Sequence, residues 1–219
     1  MPQSLSPVIE MSRMLGYGED ALTLWALENR LAEILKHFGD KTSPSDCLIF
    51  YRPSFGRSGG KDSSEFGEFD AIVASPRNIY LVESKWDGLS RAKRNGDLVK
   101  PVQKLRHSVF SWYLTNWTQK YKGKWLAFKK KKEQGFRSEF KDKRIPRTNT
   151  LLSKNLESIM RRLQKRCKNP SEGKNIKNVL LYFYNGRKRP RLSNCSFKGF
   201  EPVIINYSRS TSGNFITLD

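Results

Sequence analysis

The residues best suited to chemistry are Asp70, Glu83 and Lys85, set in the stretch GEFDAIVASPRNIYLVESKW from Gly67 to Trp86. Ile72, Val73, Ile79, Tyr80, Leu81 and Val82 flank a Ser75-Pro76-Arg77-Asn78 turn, the pattern of a buried hairpin. If that turn is symmetric, Asp70 falls across from Glu83, and Glu68 across from Lys85. Side chains alternate along a strand, so Asp70, Glu83 and Lys85 share one face while Ser84 points away. Directly paired side chains have Cβ atoms about 4.5–5.5 Å apart, where two carboxylates repel by roughly 3 kcal/mol at an effective dielectric of about 20. A purely structural hairpin has no use for that repulsion. Either one acid is protonated or a cation lies between them. Hard oxygen ligands with no nearby His or Cys suit Mg²⁺, with Mn²⁺ as a substitute, rather than zinc. Lys85 on the same face could meet a phosphate, a developing negative charge or an attacking water, which is chemistry suited to phosphodiester hydrolysis. The plain alternative is a strand-edge pair of acids facing water, with Lys85 paired to Glu68. A one-residue bulge would also send Asp70 to the opposite face.

A third acid is expected from a preceding helix. Glu28 has Leu24, Trp25, Leu31 and Ala32 as helical neighbours and no adjacent cation. A glutamate among apolar neighbours needs a partner from elsewhere, either this site or a distant Lys or Arg. Glu33 has Arg30, Lys36 and His37 at helical spacing and reads as a solvated surface acid.

The elements that must hold these residues follow from periodicity. Leu24, Leu27, Leu31, Ile34, Leu35 and Phe38 mark a helix over Glu19–Phe38, which Gly39-Asp40 ends. Cys47–Phe55 reads as a strand, followed by the hairpin strands Glu68–Ala74 and Asn78–Trp86. A helix is expected from Val99 to about Tyr121, and another over Thr150–Cys167. Val179–Tyr184 and Val203–Tyr207 read as late strands. Helix, three strands, helices and two strands imply an α/β or α+β sheet with helices on both faces. The chain is expected to be one domain, its core about 19–121 plus 150–208, with a basic excursion from the core over about 122–147.

Forty-one Lys and Arg against twenty-one Asp and Glu give the 219-residue chain a formal charge of +20. Such an excess favours nucleic acid as the partner. No apolar run approaches the roughly 20 residues of a membrane helix. Three scattered cysteines, Cys47, Cys167 and Cys195, and an N-terminus without a secretion-signal pattern lead us to expect an intracellular setting, cytoplasmic or nucleoid-associated.

The ordered set of Asp70, Glu83-Ser84-Lys85 on the next strand, and an acid on a preceding helix resembles the PD-(D/E)xK nuclease superfamily. The resemblance spans roughly Leu24 to Tyr113, about 40% of the chain. It is similar to the nuclease-related group, and, through GEFD, VESK and Gln103, to RecB-like and Holliday-junction-resolvase-like members. Phe69 stands where the family name has proline, and His107 at the tyrosine spacing of RecB-like members. The resemblance implies a restriction-endonuclease-like mixed central sheet and Mg²⁺-dependent cleavage, most readily of DNA. Asp70, Glu83 and the Ser84 carbonyl would hold metal, and Glu28 would complete the coordination through water. Lys85 would orient or activate water or stabilise the pentavalent phosphate, and Gln103 would help position the site or the substrate. By family analogy alone, cutting two strands fits a homodimer.

Four basic groups could neutralise phosphates: Arg91, Lys93 and Arg94 after the ExK strand; the run Lys129–Lys132, including Lys130; Arg161, Arg162, Lys165 and Arg166 on one helix; and the loop residues Arg187, Lys188, Arg189 and Arg191. Trp112, Trp117, Tyr121, Trp125 and Phe128 could stack on bases, but aromatics at helical spacing more often fill a core. GRSGGKDS fails as a phosphate loop, because Phe55 and Asp62 stand where Gly and Ser or Thr belong. Two histidines, His37 and His107, and no G-x-S-x-G argue against a serine-hydrolase triad, and no C-x-x-C pair supports a zinc module. The alternatives are a basic DNA- or RNA-binding protein without catalysis, on a lapsed nuclease fold, or a ribonucleoprotein component.

Overall fold

A computed structural model describes residues 14–56, 60–86, 98–167, 175–192, 197–212 and 215–218. The elements run β1 (Leu15–Gly16), α1 (Gly18–Asn29), α2 (Leu31–His37), β2 (Leu48–Tyr51), β3 (Ser54–Phe55), β4 (Gly67–Glu68), β5 (Ala71–Ala74) and β6 (Ile79–Trp86). They continue with α3 (Pro101–Asn116), α4 (Trp125–Glu139), α5 (Leu151–Arg166), β7 (Ile176–Tyr184), β8 (Glu201–Asn206), β9 (Thr211–Ser212) and β10 (Phe215–Thr217). Five strands form the central mixed sheet in the order β2-β5-β6-β7-β8. The first three pair antiparallel, while β6, β7 and β8 run parallel. The chain is therefore an α/β fold.

Alternation along the hairpin decides which side of the sheet each residue serves. Ala71, Val73, Tyr80 and Val82 pack with α1 and α2. Ile72, Ala74, Ile79 and Leu81 pack with α3, α4 and α5. Strand β7 is apolar on both faces because both are covered: Val179, Leu181 and Phe183 pack with α1 and α2, and Leu180, Tyr182 and Tyr184 with Leu98, Val99 and Phe200 of the connecting segments, which is why it reads VLLYFY without alternation.

The expected single first helix is two, broken at Arg30 (φ −127°, ψ 7°). Helix α2 ends where Gly39 takes φ +66°, which only glycine adopts without strain, and the Asp40 N–H returns to the Leu35 carbonyl. The expected strand Cys47–Phe55 is likewise split. Arg52, at φ +48°, kinks the chain between β2 and β3, and the partner strand is interrupted opposite it at Phe69–Asp70. The register survives the gap, since Tyr51 pairs with Ala71 and Ser54 with Glu68.

The stretch 122–147 is not an excursion from the core. Trp125, Phe128 and Phe136 lie along one stripe of α4 and are buried in the largest core cluster, joined by Phe140 and Ile145. The lysine run caps this packing from outside. Lys129 Nζ donates to the Ile145 carbonyl (2.7 Å) and Lys132 Nζ to Asn116 Oδ1 (2.9 Å), their stems lying along apolar surface. Only aromatic spacing, not lysine density, signalled this. Trp112, Trp117 and Tyr121 are buried in the same cluster, the core role preferred above over base stacking. Among the described residues, no helix is long and apolar enough to cross a membrane.

Candidate active site

The site forms where the β5–β6 ladder runs out. The last pair is Ala71–Val82, and Asp70 and Glu83 are the next residues on each strand. The turn at the other end holds that register. The Ser75 N–H donates to the Asn78 carbonyl (2.9 Å), and Ser75 Oγ donates to Asp40 Oδ2 (2.6 Å). Asp40, buried at the end of α2, also accepts from Thr42, Asn78 and Tyr80. Burial pushes its pKa up, but these donors outweigh it and hold the carboxyl well below the usual carboxylate range. A slip of one residue would break this clamp, so it fixes which face Asp70 and Glu83 share.

Glu83 is 2% exposed. Such an acid must be paired, and it accepts from Lys85 Nζ (2.9 Å), from the Arg106 guanidinium (3.0 Å) and from the Gln103 side-chain amide. Gln103 and Arg106 sit one helical turn apart on α3, on the face turned to the sheet. The Gln103 carbonyl oxygen accepts from the Lys100 N–H (2.8 Å), which fixes the amide at the helix start. Arg106 lies over the Phe69 ring at 5.5 Å. Ser84 faces the opposite way, its hydroxyl accepting from Thr23 of α1 at 2.7 Å.

Asp70 Oδ2 accepts from the Ser84 N–H at 2.6 Å. Burial and the nearby Glu83 charge push its pKa up to about 7, against the opposing pull of that N–H and of Lys85. For Lys85, burial alone would lower the pKa, but the charges of Glu83 and Glu19 carry it above the ordinary value. The ammonium touches Glu83 Oε1 and the Ser84 carbonyl and reaches Glu19 at 3.7 Å. It is a positive charge resting on two of the three oxygens assigned above to a metal.

That placement is the test of whether a divalent ion suits these residues. Two carboxylates and one backbone carbonyl are hard donors, and the Asp70 pKa is raised by burial and by the neighbouring Glu83 charge. Donors of this hard, oxygen-only type are the kind Mg²⁺ or Mn²⁺ takes, and Lys85 would have to leave Glu83 and the Ser84 carbonyl for an ion to use them. Among the described residues, no three His, Cys, Asp or Glu side chains form a group that could hold a metal, and the Lys85 ammonium contacts both Glu83 and Glu19.

The helix acid is not Glu28. Nine residues at about 100° each set Glu28 opposite Glu19 around α1 and about 13 Å along it, and Glu28 is exposed. Glu19, in the first turn, is the acid beside Lys85. Burial raises its pKa, with Lys85 opposing. Arg106 was equally legible, as the residue one turn after Gln103, but nothing in the sequence said which α3 side chains would face Glu83. Glu68 pairs with Arg52 at 2.7 Å, and Arg52 also pairs with Asp20. His107 is buried between Phe69 and Phe200 and bonded to Asn178 (3.0 Å); burial pulls its pKa down to about 3, which makes it a neutral core residue.

The basic groups separate by position. Arg187, Lys188 and Arg189 are exposed on the segment leaving β7, beside the end of β6 that carries Lys85. Arg161, Arg162 and Lys165 are exposed on α5, whose last turn lies at the other end of the sheet. There Arg166 acts on the Cys47 thiol and Asp40 on Cys167, roughly 20 Å along β6 from Lys85. Lys129 is tied to the Ile145 carbonyl and Lys130 is exposed on α4. Arg91, Lys93 and Arg94 lie outside the described residues.

Comparison with protein-family models, with curated proteins and with solved structures finds no match to this chain.

Proposed function

We propose that the protein is a Mg²⁺-dependent nuclease with a restriction-endonuclease-like fold that hydrolyses phosphodiester bonds, most readily in DNA. One observation carries the reading: two acids just past the last pair of the β5–β6 ladder, one of them with its pKa lifted to about 7, share a sheet end with a charged, half-buried lysine. Asp70, Glu83 and the Ser84 carbonyl would hold the ion. When bound, it supplies positive charge to the phosphate and makes water a stronger nucleophile near neutral pH. The chain's own residues do the rest. Arg106 and Gln103 orient Glu83, and the Ser84 N–H orients Asp70. Lys85, released from Glu83, donates to a phosphate oxygen and offsets charge that grows during in-line attack. Arg187, Lys188 and Arg189 draw the backbone of the nucleic acid towards this end of the sheet.

A second reading, a basic nucleic-acid binder without catalysis, is supported by the two cations already on Glu83. The readings separate on plasmid, single-stranded and branched DNA incubated with Mg²⁺. Wild type should cut, and Asp70→Ala and Lys85→Ala should not. Equal activity in all three proteins would reject the mechanism, and no cutting by any of them, with binding intact, would favour the passive binder.

A further inference from the structure

A cavity of about 240 Å³ lies on the α1 side of the same sheet end, lined by Tyr17, Gly18, Trp86, Asn185, Tyr207 and Thr211 among others. It lies across the sheet from Glu83, and its nearest link to the site is Glu19, which follows Gly18 and accepts from the Trp86 backbone N–H. Its volume is below the roughly 300–1,000 Å³ of drug-sized ligand sites, a scale that suits one heterocycle and not a base pair.

Its aromatic walls meet as a corner, with Tyr17 and Trp86 at right angles. The Trp86 indole N–H donates to the Tyr207 hydroxyl at 2.5 Å, which fixes the plane of the indole. Tyr17 stands edge-on to it at 5.3 Å and near Phe215 at 6.1 Å. Yet Tyr17 is 62% exposed and Phe215 47%, an unusual outlay of aromatic surface for rings that only fill a core. Asn185 and Thr211 line the polar edge, the Thr211 hydroxyl donating to the Ser208 carbonyl (3.4 Å) and keeping its lone pairs for an incoming donor. From Asn185 the chain runs directly into the exposed Arg187, Lys188 and Arg189. A flat ring with a polar edge, attached to a polyanion, matches all three features.

We infer that this cavity takes one unpaired nucleobase of the substrate strand, stacked on the Tyr17 ring with Trp86 standing at right angles as a side wall, at the same sheet end as Lys85. The substrate class is then single-stranded DNA or a frayed end, because a base stacked inside a duplex cannot enter. The inference rests on the nuclease reading for the role of its neighbour, but the cavity's binding can be measured without catalysis.

Fluorescence anisotropy of a labelled single-stranded oligonucleotide and of a blunt duplex of the same length, both in EDTA, provides the test. Tyr17 precedes α1 with extended backbone and makes no side-chain cap, so Tyr17→Ala removes the platform without removing a helix cap. Tyr17→Ala should weaken single-strand binding by roughly five- to hundredfold, with duplex binding within about twofold of wild type. Crosslinking of an iodouracil-containing oligonucleotide should map to Tyr17 or Trp86 in wild type. Unchanged single-strand affinity in Tyr17→Ala, an equal loss for both ligands, or a crosslink elsewhere would overturn the inference. If Mg²⁺-dependent cleavage is absent while Tyr17→Ala still loses single strands selectively, the nuclease reading fails and the base cavity stands. If cleavage depends on Asp70 while Tyr17→Ala binds as wild type does, the base cavity fails alone.

Discussion

Replacing Asp70 by asparagine turns the raised pKa into a measurable stability. Asparagine keeps an oxygen for the Ser84 N–H but carries no charge near Glu83. In the folded protein Asp70 holds its proton up to about pH 7, whereas the unfolded chain releases it near 3.9. Between those values the native state binds the extra proton, so wild type loses stability as pH rises through that window. Full linkage over about three pH units amounts to about 4 kcal/mol, and partial solvent access to the half-buried carboxyl reduces this to about 2 kcal/mol. Urea unfolding at about pH 4 should therefore give similar stabilities for the two proteins, with Asp70→Asn about 2 kcal/mol more stable at about pH 8. Comparing the pair cancels Asp40, whose depressed pKa acts in the opposite sense in both. Mg²⁺ or Mn²⁺ should then reverse the order, since an ion at a hundredfold excess over Kd adds about 2.7 kcal/mol to wild type and little to the variant. An Asp70→Asn protein no more stable than wild type at high pH would refute the raised Asp70 pKa, and one that gains equally from the metal would refute the proposed ion site.

Arg106→Met should lower stability by about 1.5–3 kcal/mol through loss of a charge-assisted hydrogen bond to Glu83, read by urea unfolding, and should also slow cleavage by releasing the carboxylate. Phe128→Ala should cost about 3–5 kcal/mol while Lys130→Ala stays within about 0.5, a contrast that reports the middle segment as core. Asp40→Ala should cost about 3 kcal/mol by orphaning Ser75, Asn78 and Tyr80, and should lower cleavage through loss of the hairpin register, although Asp40 lies at the far end of β6. Neutralising Arg187, Lys188 and Arg189 together should reduce the slope of log affinity against log salt by about 3 for duplex DNA, measured by titration at several salt concentrations.

Much of the sheet was legible because strands with apolar residues on both faces, such as Val179–Tyr184, have few other places to go. The hairpin register was legible too. A short polar turn between apolar runs leaves little choice of pairing, and pairing fixes the faces of Asp70, Glu83 and Lys85. The breaks at Arg30 and Arg52 were not legible, because each depends on what the flanking segments pack against. Arg52 is tied by Asp20 and Glu68, distant in sequence, in a backbone conformation that its own type disfavours. Lysine content misled the reading of residues 122–147. Charge density reports the solvent side of a helix and says nothing of the aromatic stripe behind it.

The sequence by itself determined the alternation that puts two acids and a lysine on one side of a hairpin, because a strand's side-chain period is set by covalent geometry. Only the tertiary structure decided which helix acid joins them and which cations hold them. Glu19 and not Glu28 meets Lys85, and Arg106 and Gln103 meet Glu83, because helix rotation and docking are settled by the whole buried face and not by any residue's own neighbours.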